Sequence, residues 1–202
     1  TACRQSQICV SLPALGLGYD ELAAEGLDGK VGARSNFYRF AVCGEAVYGS
    51  LATELERHTC GLLNIQPVLI DTLMLHIDAA GSTVAEREEG LADKIFEDYK
   101  MKADDVIVII SNSGRNGVVI DMALLCKEKG LTVIALTNLR HTNAGASRHQ
   151  SGKRLCEIAD IVLDNCGCVG DACIEVEGVD GKICATSTVA GAMILNASVA
   201  RA

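Results

Sequence analysis

The chain has 202 residues, 49% of them apolar and 22% charged, with 20 glycines, 2 prolines and no tryptophan. That balance suits one globular domain with a buried core and excludes a disordered chain. The net charge of −8, from 18 basic and 26 acidic residues, argues against non-specific nucleic-acid binding, which needs a basic footprint, but leaves room for an anion in one local pocket.

Residues 1–36 show no sustained period and carry Gly16, Gly18, Gly26, Gly29 and Gly32; only 20–27 reads as helical. This part is set apart as a poorly patterned N-terminal segment. Its first residue is Thr1 rather than Met, so the opening residues are not read as a natural start. Stretch 5–19 is uncharged like a secretory core, but Ser11, Pro13, Gly16 and Gly18 interrupt it.

One domain is expected over 37–202. Short apolar runs at 40–43, 68–70, 106–110, 133–136 and 161–163 fit parallel strands covered on both faces. Helical periods lie between them at 50–60, 84–99, 117–129 and 151–159, with a last helix near 187–200. Such alternation predicts a doubly wound α/β sheet with right-handed crossovers. Stretch 183–200 is uncharged for 18 residues, the lower limit for a membrane span. Thr186, Ser187, Thr188, Asn196 and Ser198 make it a buried helix instead, and no membrane association is expected.

Ten cysteines in a chain of this size do not read as a disulfide framework. Cys126 and Cys156 sit in apolar periodic segments, where a reduced thiol behaves as a small hydrophobe, so a cytoplasmic setting is expected. Cys166, Cys168, Cys173 and Cys184 follow a C-x-C-x4-C-x10-C spacing that is not a usual zinc arrangement; neither a metal nor a cofactor is expected.

The helix at 117–129 is the most clearly written. Val119, Met122, Ala123 and Cys126 form one apolar stripe, Lys127 and Lys129 suit the negative end of the dipole, and Gly130 ends it. Directly before it, strand 106–110 runs into Ser111-Asn112-Ser113-Gly114-Arg115-Asn116. A small, hydroxyl-rich turn between a strand and a helix N-terminus is an anion site in the making, because the first amides of a helix lack intrahelical partners. The turn also falls where open α/β sheets bind ligands, outside the carboxyl ends of the strands. It is neither a Walker loop nor a GxGxxG fingerprint, so no nucleotide is implied. The blander alternative is that Ser and Asn merely cap the helix.

Stretch 106–138, VIVIISNSGRNGVVIDMALLCKEKGLTVIALTN, resembles the core of a SIS (sugar isomerase) domain. The resemblance continues through Ser147–Leu155, Ala159-Asp160, Asp164-Asn165, Gly170-Asp171-Ala172 and Thr186–Gly191. With Met74-Leu75-His76 and 86–92, these blocks are similar to a narrower SIS subfamily labelled phosphoheptose isomerase. The resemblance implies a flavodoxin-like, three-layer αβα sandwich with a five-stranded parallel sheet, assembled as a homodimer or homotetramer. It implies a phosphorylated sugar ligand, held by Ser111, Asn112, Ser113, Gly114, Arg115 and Asn116, with Ser187 and Thr188 adding hydroxyls. The N-terminal third departs from it: residues 43–50 only partly match the family's Gly/Ser-rich turn, and 1–36 do not read as its long helix.

Aldose–ketose isomerisation moves a proton between adjacent carbons and needs a base and an acid. Phosphoheptose isomerases use a Glu and a His. His149, in the subfamily's most distinctive block, and His76, after a strand end, are the histidine candidates; each could equally be a hydrogen-bonded structural histidine. On a helix 84–99, Glu88 falls in the apolar stripe, Glu89 on its border and Glu86 nearly opposite; the family resemblance points to Glu89 or Glu86, the geometry does not support Glu86, and Glu89 and Glu88 are kept as the carboxylate candidates. Acids in a first turn also simply complement the dipole. Arg115, Lys153 and Arg154 are available to balance a phosphate. Expected alternatives to an isomerase are a non-catalytic phosphosugar sensor and a sugar-phosphate etherase or lyase on the same fold, since fold alone does not separate them.

Overall fold

Continuous Val/Ile runs too short for helices become strands, and the computed structural model describes them within residues 7–9, 40–44, 65–74 and 77–201. In chain order the elements are β1 (Gln7–Cys9), β2 (Phe40–Gly44), β3 (Ile65–Val68), a 3-10 turn (Asp71–Leu73), α1 (Ala79–Ala85), α2 (Leu91–Asp98), β4 (Val106–Ile110), α3 (Gly117–Glu128), β5 (Thr132–Thr137), α4 (Leu139–Asn143), α5 (Leu155–Ile158), β6 (Ile161–Asp164), β7 (Ala172–Glu175), β8 (Lys182–Ala185) and α6 (Ser187–Arg201). Among the described residues the sheet has six parallel strands in the order β1-β6-β5-β4-β2-β3. That is one more than the expected five, because the short β1 pairs with β6.

β4 lies at the centre and is buried along its whole length. Side chains alternate across a strand, so Ile107 and Ile109 share a face with Val133, Ala135 and Val162, in one core with Ile95, Val119, Met122, Ala123 and Leu155. On the opposite face Val108, Ile110, Ile134, Leu136 and Leu163 are 6% exposed or less. Both faces are therefore covered, as an all-parallel sheet requires.

Four expectations change. Strand 68–70 falls earlier, at β3. Helix 84–99 is two helices, α1 and α2, because Gly90 takes a left-handed φ of 89° and Asp78 starts α1 by accepting from the amides of Ala80 and Gly81. Helix 151–159 contracts to α5. Between β6 and α6 an unanticipated antiparallel hairpin, β7–β8, stands exposed. The expected helices at 20–27 and 50–60 lie outside the described residues. Helix α3 follows its stripe closely: Val119 is 4% exposed and Met122, Ala123 and Cys126 are fully buried, and Gly130 ends the helix at φ 86°. Among the described residues no helix is long and apolar enough to cross a membrane.

Candidate functional site

The carboxyl ends of three adjacent strands bring a polar rim together: Ser111 and Asn112 after β4, Thr137 and Asn138 at β5, Asp164 and Asn165 at β6. Hydrogen bonds stitch the rim. Asn138 N donates to Asn112 O at 3.2 Å, Asn165 Nδ2 to Asn112 Oδ1 at 2.9 Å and Asn165 N to Thr137 O at 2.9 Å. Asn112 is thus a structural tie as well as a member of the turn.

The turn itself is pinned from both sides. Ser111 is fully buried and its Oγ accepts from Gly114 N at 3.0 Å. Leu155 N donates to Gly114 O and Arg148 N to Arg115 O, each at 2.9 Å. Gly114 has a φ of 58°, and a Cβ there would lie 3.0 Å from Thr137 Oγ1 and 3.3 Å from Thr142 Oγ1, so only glycine fits without strain.

Asn116 occupies the N-cap position of α3 in an extended conformation, yet its side chain makes no capping bond. Its Nδ2 donates to Glu86 Oε2 at 2.8 Å, and its Oδ1 accepts from Arg148 Nη1 at 2.6 Å. Ser113 Oγ is buried and has no partner among the described residues. A buried hydroxyl left unmatched costs free energy unless something completes it. The capping explanation of this sequence therefore fails at its two best candidates, Asn116 and Ser113.

Helix α6 is the opposite case. Asp171 Oδ1 accepts from Thr186 N at 3.0 Å and Ser187 N at 2.8 Å, while Ser187 Oγ donates to Asp171 Oδ2 at 2.6 Å. A carboxylate of the chain already fills that N-terminus, so the Ser187 hydroxyl is spent there; Thr188 is half-buried beside it. Next to them, the Thr186 hydroxyl lies by Gly167 with the Asn138 and Asn165 side chains of the rim.

Of the acid–base candidates, His149 and Glu89 come together. His149 Nε2 lies 2.8 Å from Asp121 Oδ1 and 3.9 Å from Glu89 Oε2. Ser151 N–H donates to Nδ1 at 3.1 Å, which assigns the ring proton to Nε2 and makes it the donor to Asp121. Asp121 also accepts from Gly90 N at 2.7 Å, and Glu89 Oε1 accepts from Gln150 N at 3.0 Å. Glu88 points no side chain into this group that the structure records as bonded; it is exposed, and its carbonyl lies against Gly117, where a Cβ would come within 2.9 Å of both Arg87 O and Glu88 O. His76 lies outside the described residues. Sequence reasoning set Glu86 aside on a helical wheel that does not exist: it follows α1 in a turn and reaches Asn116.

Beside the turn, three guanidinium groups crowd together. Burial, then Arg148 and Arg154, lower the proton affinity of Arg115. Burial, then Arg115, also lowers that of His141, with Asp171 acting in the other direction and Arg148 adding to the lowering. Gly170 N–H donates to His141 Nδ1 at 3.2 Å, so the neutral ring carries its proton on Nε2, 3.5 Å from Arg115 Nη2. A ring held neutral on folding has a consequence for stability. The unfolded chain binds more protons than the native one below the ordinary histidine pKa of 6.5, so the contribution is complete above that pH and is lost as pH falls through the lowered native value. Urea midpoints are expected to fall between pH 7 and about pH 5, and His141→Gln to flatten that part of the profile.

A family model described as SIS domain matches residues 33–138, just over half of the chain. The chain belongs to the SIS domain family. Its relatives include a UPF0309 protein of Halalkalibacterium halodurans, 41% identical over 152 residues, which are 75% of this chain and 61% of that one. A UPF0309 protein of Listeria innocua is likewise 41% identical over 152 residues, 75% of this chain and 62% of that one. The chain thus spans about three fifths of the length of these relatives. The structure of a phosphoheptose isomerase from Francisella tularensis superposes with a TM-score of 0.50 at 21% identity, covering 89% of this chain and 83% of that one, a likeness of fold.

Proposed function

We propose that the chain binds a phosphorylated sugar at the turn between β4 and α3 and acts on it as an aldose–ketose isomerase of phosphoheptose-isomerase type. One observation carries the binding: α3 begins with no side-chain cap while Ser113 Oγ is buried and unpartnered beside it. A phosphate oxygen accepts from that hydroxyl and from the Gly117 amide at the start of α3, where the dipole favours negative charge, while the next amide, Val118 N–H, donates to Glu86 O at 3.3 Å. Gly114 keeps the backbone open to the ligand, and Arg115 contributes positive charge at the rim. The likeness to a phosphoheptose isomerase speaks for a complete three-layer, flavodoxin-like sandwich as the frame; the proposal further takes the protein to be a cytoplasmic homodimer or homotetramer that uses neither metal nor cofactor.

The catalytic part rests on Glu89 and His149, whose side-chain ends lie 3.9 Å apart, with His149 held by Asp121 one turn into α3. A base removes the proton from the carbon beside the carbonyl and, through an enediol, a proton is delivered to the former carbonyl carbon. Asp121, itself half-buried, orients the imidazole as the carboxylate does in a hydrogen-bonded dyad. A second reading, a binding module without catalysis, has its own support: both nitrogens of His149 are engaged and its side chain is only 3% exposed.

The double variant Ser111→Ala, Ser113→Ala is expected to weaken sugar-phosphate binding by about 2 to 3 kcal/mol, through loss of the Ser113 hydrogen bond to a charged group and of the Ser111 Oγ bond to Gly114 N that shapes the turn. Calorimetry reads it, and an unchanged affinity defeats the site. Incubation with aldose and ketose phosphates in deuterated water separates the two readings: exchange at the carbon beside the carbonyl, lost in Glu89→Gln, supports the isomerase, and its absence with a bound sugar phosphate supports the module.

A further inference from the structure

Three guanidinium groups and an imidazole N–H converge next to the phosphate turn, where Glu157 meets Arg154 and Glu86 shares the Asn116 side chain with Arg148. Arg154 Nη1 has Glu157 Oε1 at 3.3 Å, and its Nη2 donates to Gly145 O at 3.3 Å. Arg148 donates to the neutral Asn116 amide oxygen. Arg115 reaches over Gly145, where an added Cβ would collide with its Nη1, and faces His141 Nε2. The Nε atoms of both Arg115 and Arg154 are buried and have no partner among the described residues. Asp171, the acid that acts on His141, has both oxygens bound at the start of α6.

Two of these groups set donor against donor. With Gly170 N–H on His141 Nδ1, the Nε2 proton points toward an Arg115 N–H across 3.5 Å, a gap that only an acceptor turns to advantage. Like charges gathered at a partly buried place raise the energy of the empty protein and are repaid when an anion enters. The anchors of this cluster, Gly145, His141 and Gly170, all follow β5, whereas Ser111 and Ser113 precede α3. Arg115, from the turn itself, and Arg148, through Asn116, link the two.

We infer that Arg115, Arg148, Arg154 and His141 form a second anion subsite, and that the ligand is a sugar phosphate bearing a second acidic group. The inference rests on the phosphosugar reading of the Ser111–Asn116 turn. A carboxylate or a second phosphate matches the planar fork of an arginine by two parallel hydrogen bonds.

Two pairs of probes differ only in that second group. Gluconate 6-phosphate and sorbitol 6-phosphate share a carbon chain and differ by a carboxylate; fructose 1,6-bisphosphate and fructose 6-phosphate differ by a phosphate. Calorimetry on the full chain is expected to show at least one doubly acidic probe binding about tenfold or more tighter than its singly acidic partner. Arg148→Gln keeps a hydrogen-bonding amide beside Asn116 and is expected to erase most of that difference. A carboxylate-only or a phosphate-only preference each supports the subsite and tells the two acids apart. Equal affinities within both pairs overturn it. So does an Arg148→Gln loss that is the same for singly and doubly acidic probes, which would mean that one phosphate uses both places. Failure of the turn reads differently: Ser113→Ala would then leave the affinity for sorbitol 6-phosphate unchanged.

Discussion

Replacing Gly114 with valine is expected to weaken the proposed phosphosugar binding sharply and to destabilise the fold by about 2 kcal/mol, the cost of forcing a β-branched residue into left-handed backbone. The φ of 58° is one source of that cost, and the new Cβ, 3.0 Å from Thr137 Oγ1, is the other. Thr137 and Thr142 are both fully buried and their hydroxyls lie 3.1 Å apart, so neither yields easily. The same movement breaks the Gly114 N to Ser111 Oγ bond that shapes the turn. Urea denaturation reads the stability, and calorimetry with sorbitol 6-phosphate reads a loss of about 100-fold or more. Retained affinity would show that the conformation of Gly114 is irrelevant to the ligand.

Ile107→Ala is expected to cost about 3 to 4 kcal/mol without touching the turn, because it empties a cavity in the central strand. Ile107 is fully buried, and β4 is flanked by β2 and β5, so little can collapse into the gap. A loss of that size is a large share of the roughly 5–15 kcal/mol that holds a domain together. The variant is expected to unfold at lower denaturant with an unchanged slope, and to bind sugar phosphate as the parent does while folded. The pair of variants separates the scaffold from the site: one loses stability first, the other loses ligand.

The β4–turn–α3 unit was legible because its signals are local. A Val/Ile run, a small polar turn and an apolar stripe at helical spacing all sit within 25 consecutive residues (106–130). The break at Gly90 was less so: Leu91, Ala92 and Ile95 continue a helical period after it, and only the left-handed glycine and the Asp78 cap divide α1 from α2. That division moved Glu86 from the far side of an imagined helix to the side of Asn116. The hairpin carries a periodic signal of its own, the alternation of Ile174, Glu175, Val176 and Glu177 before Gly178 and a Val-Asp-Gly turn. Other features exist only in three dimensions. That Asp171 caps α6, or that Arg148 meets Arg115 and Arg154 around Gly145, depends on chain segments brought together by the sheet order. No spacing along the chain records it.

Backbone amide NMR during titration with sorbitol 6-phosphate tests most directly where the phosphate sits. The largest shifts are expected at Ser113, Gly114 and Gly117, and Ser113→Ala is expected to remove them. Shifts that leave those amides unmoved and centre instead on Ser187 and Thr188, or on no part of the turn, would contradict the account.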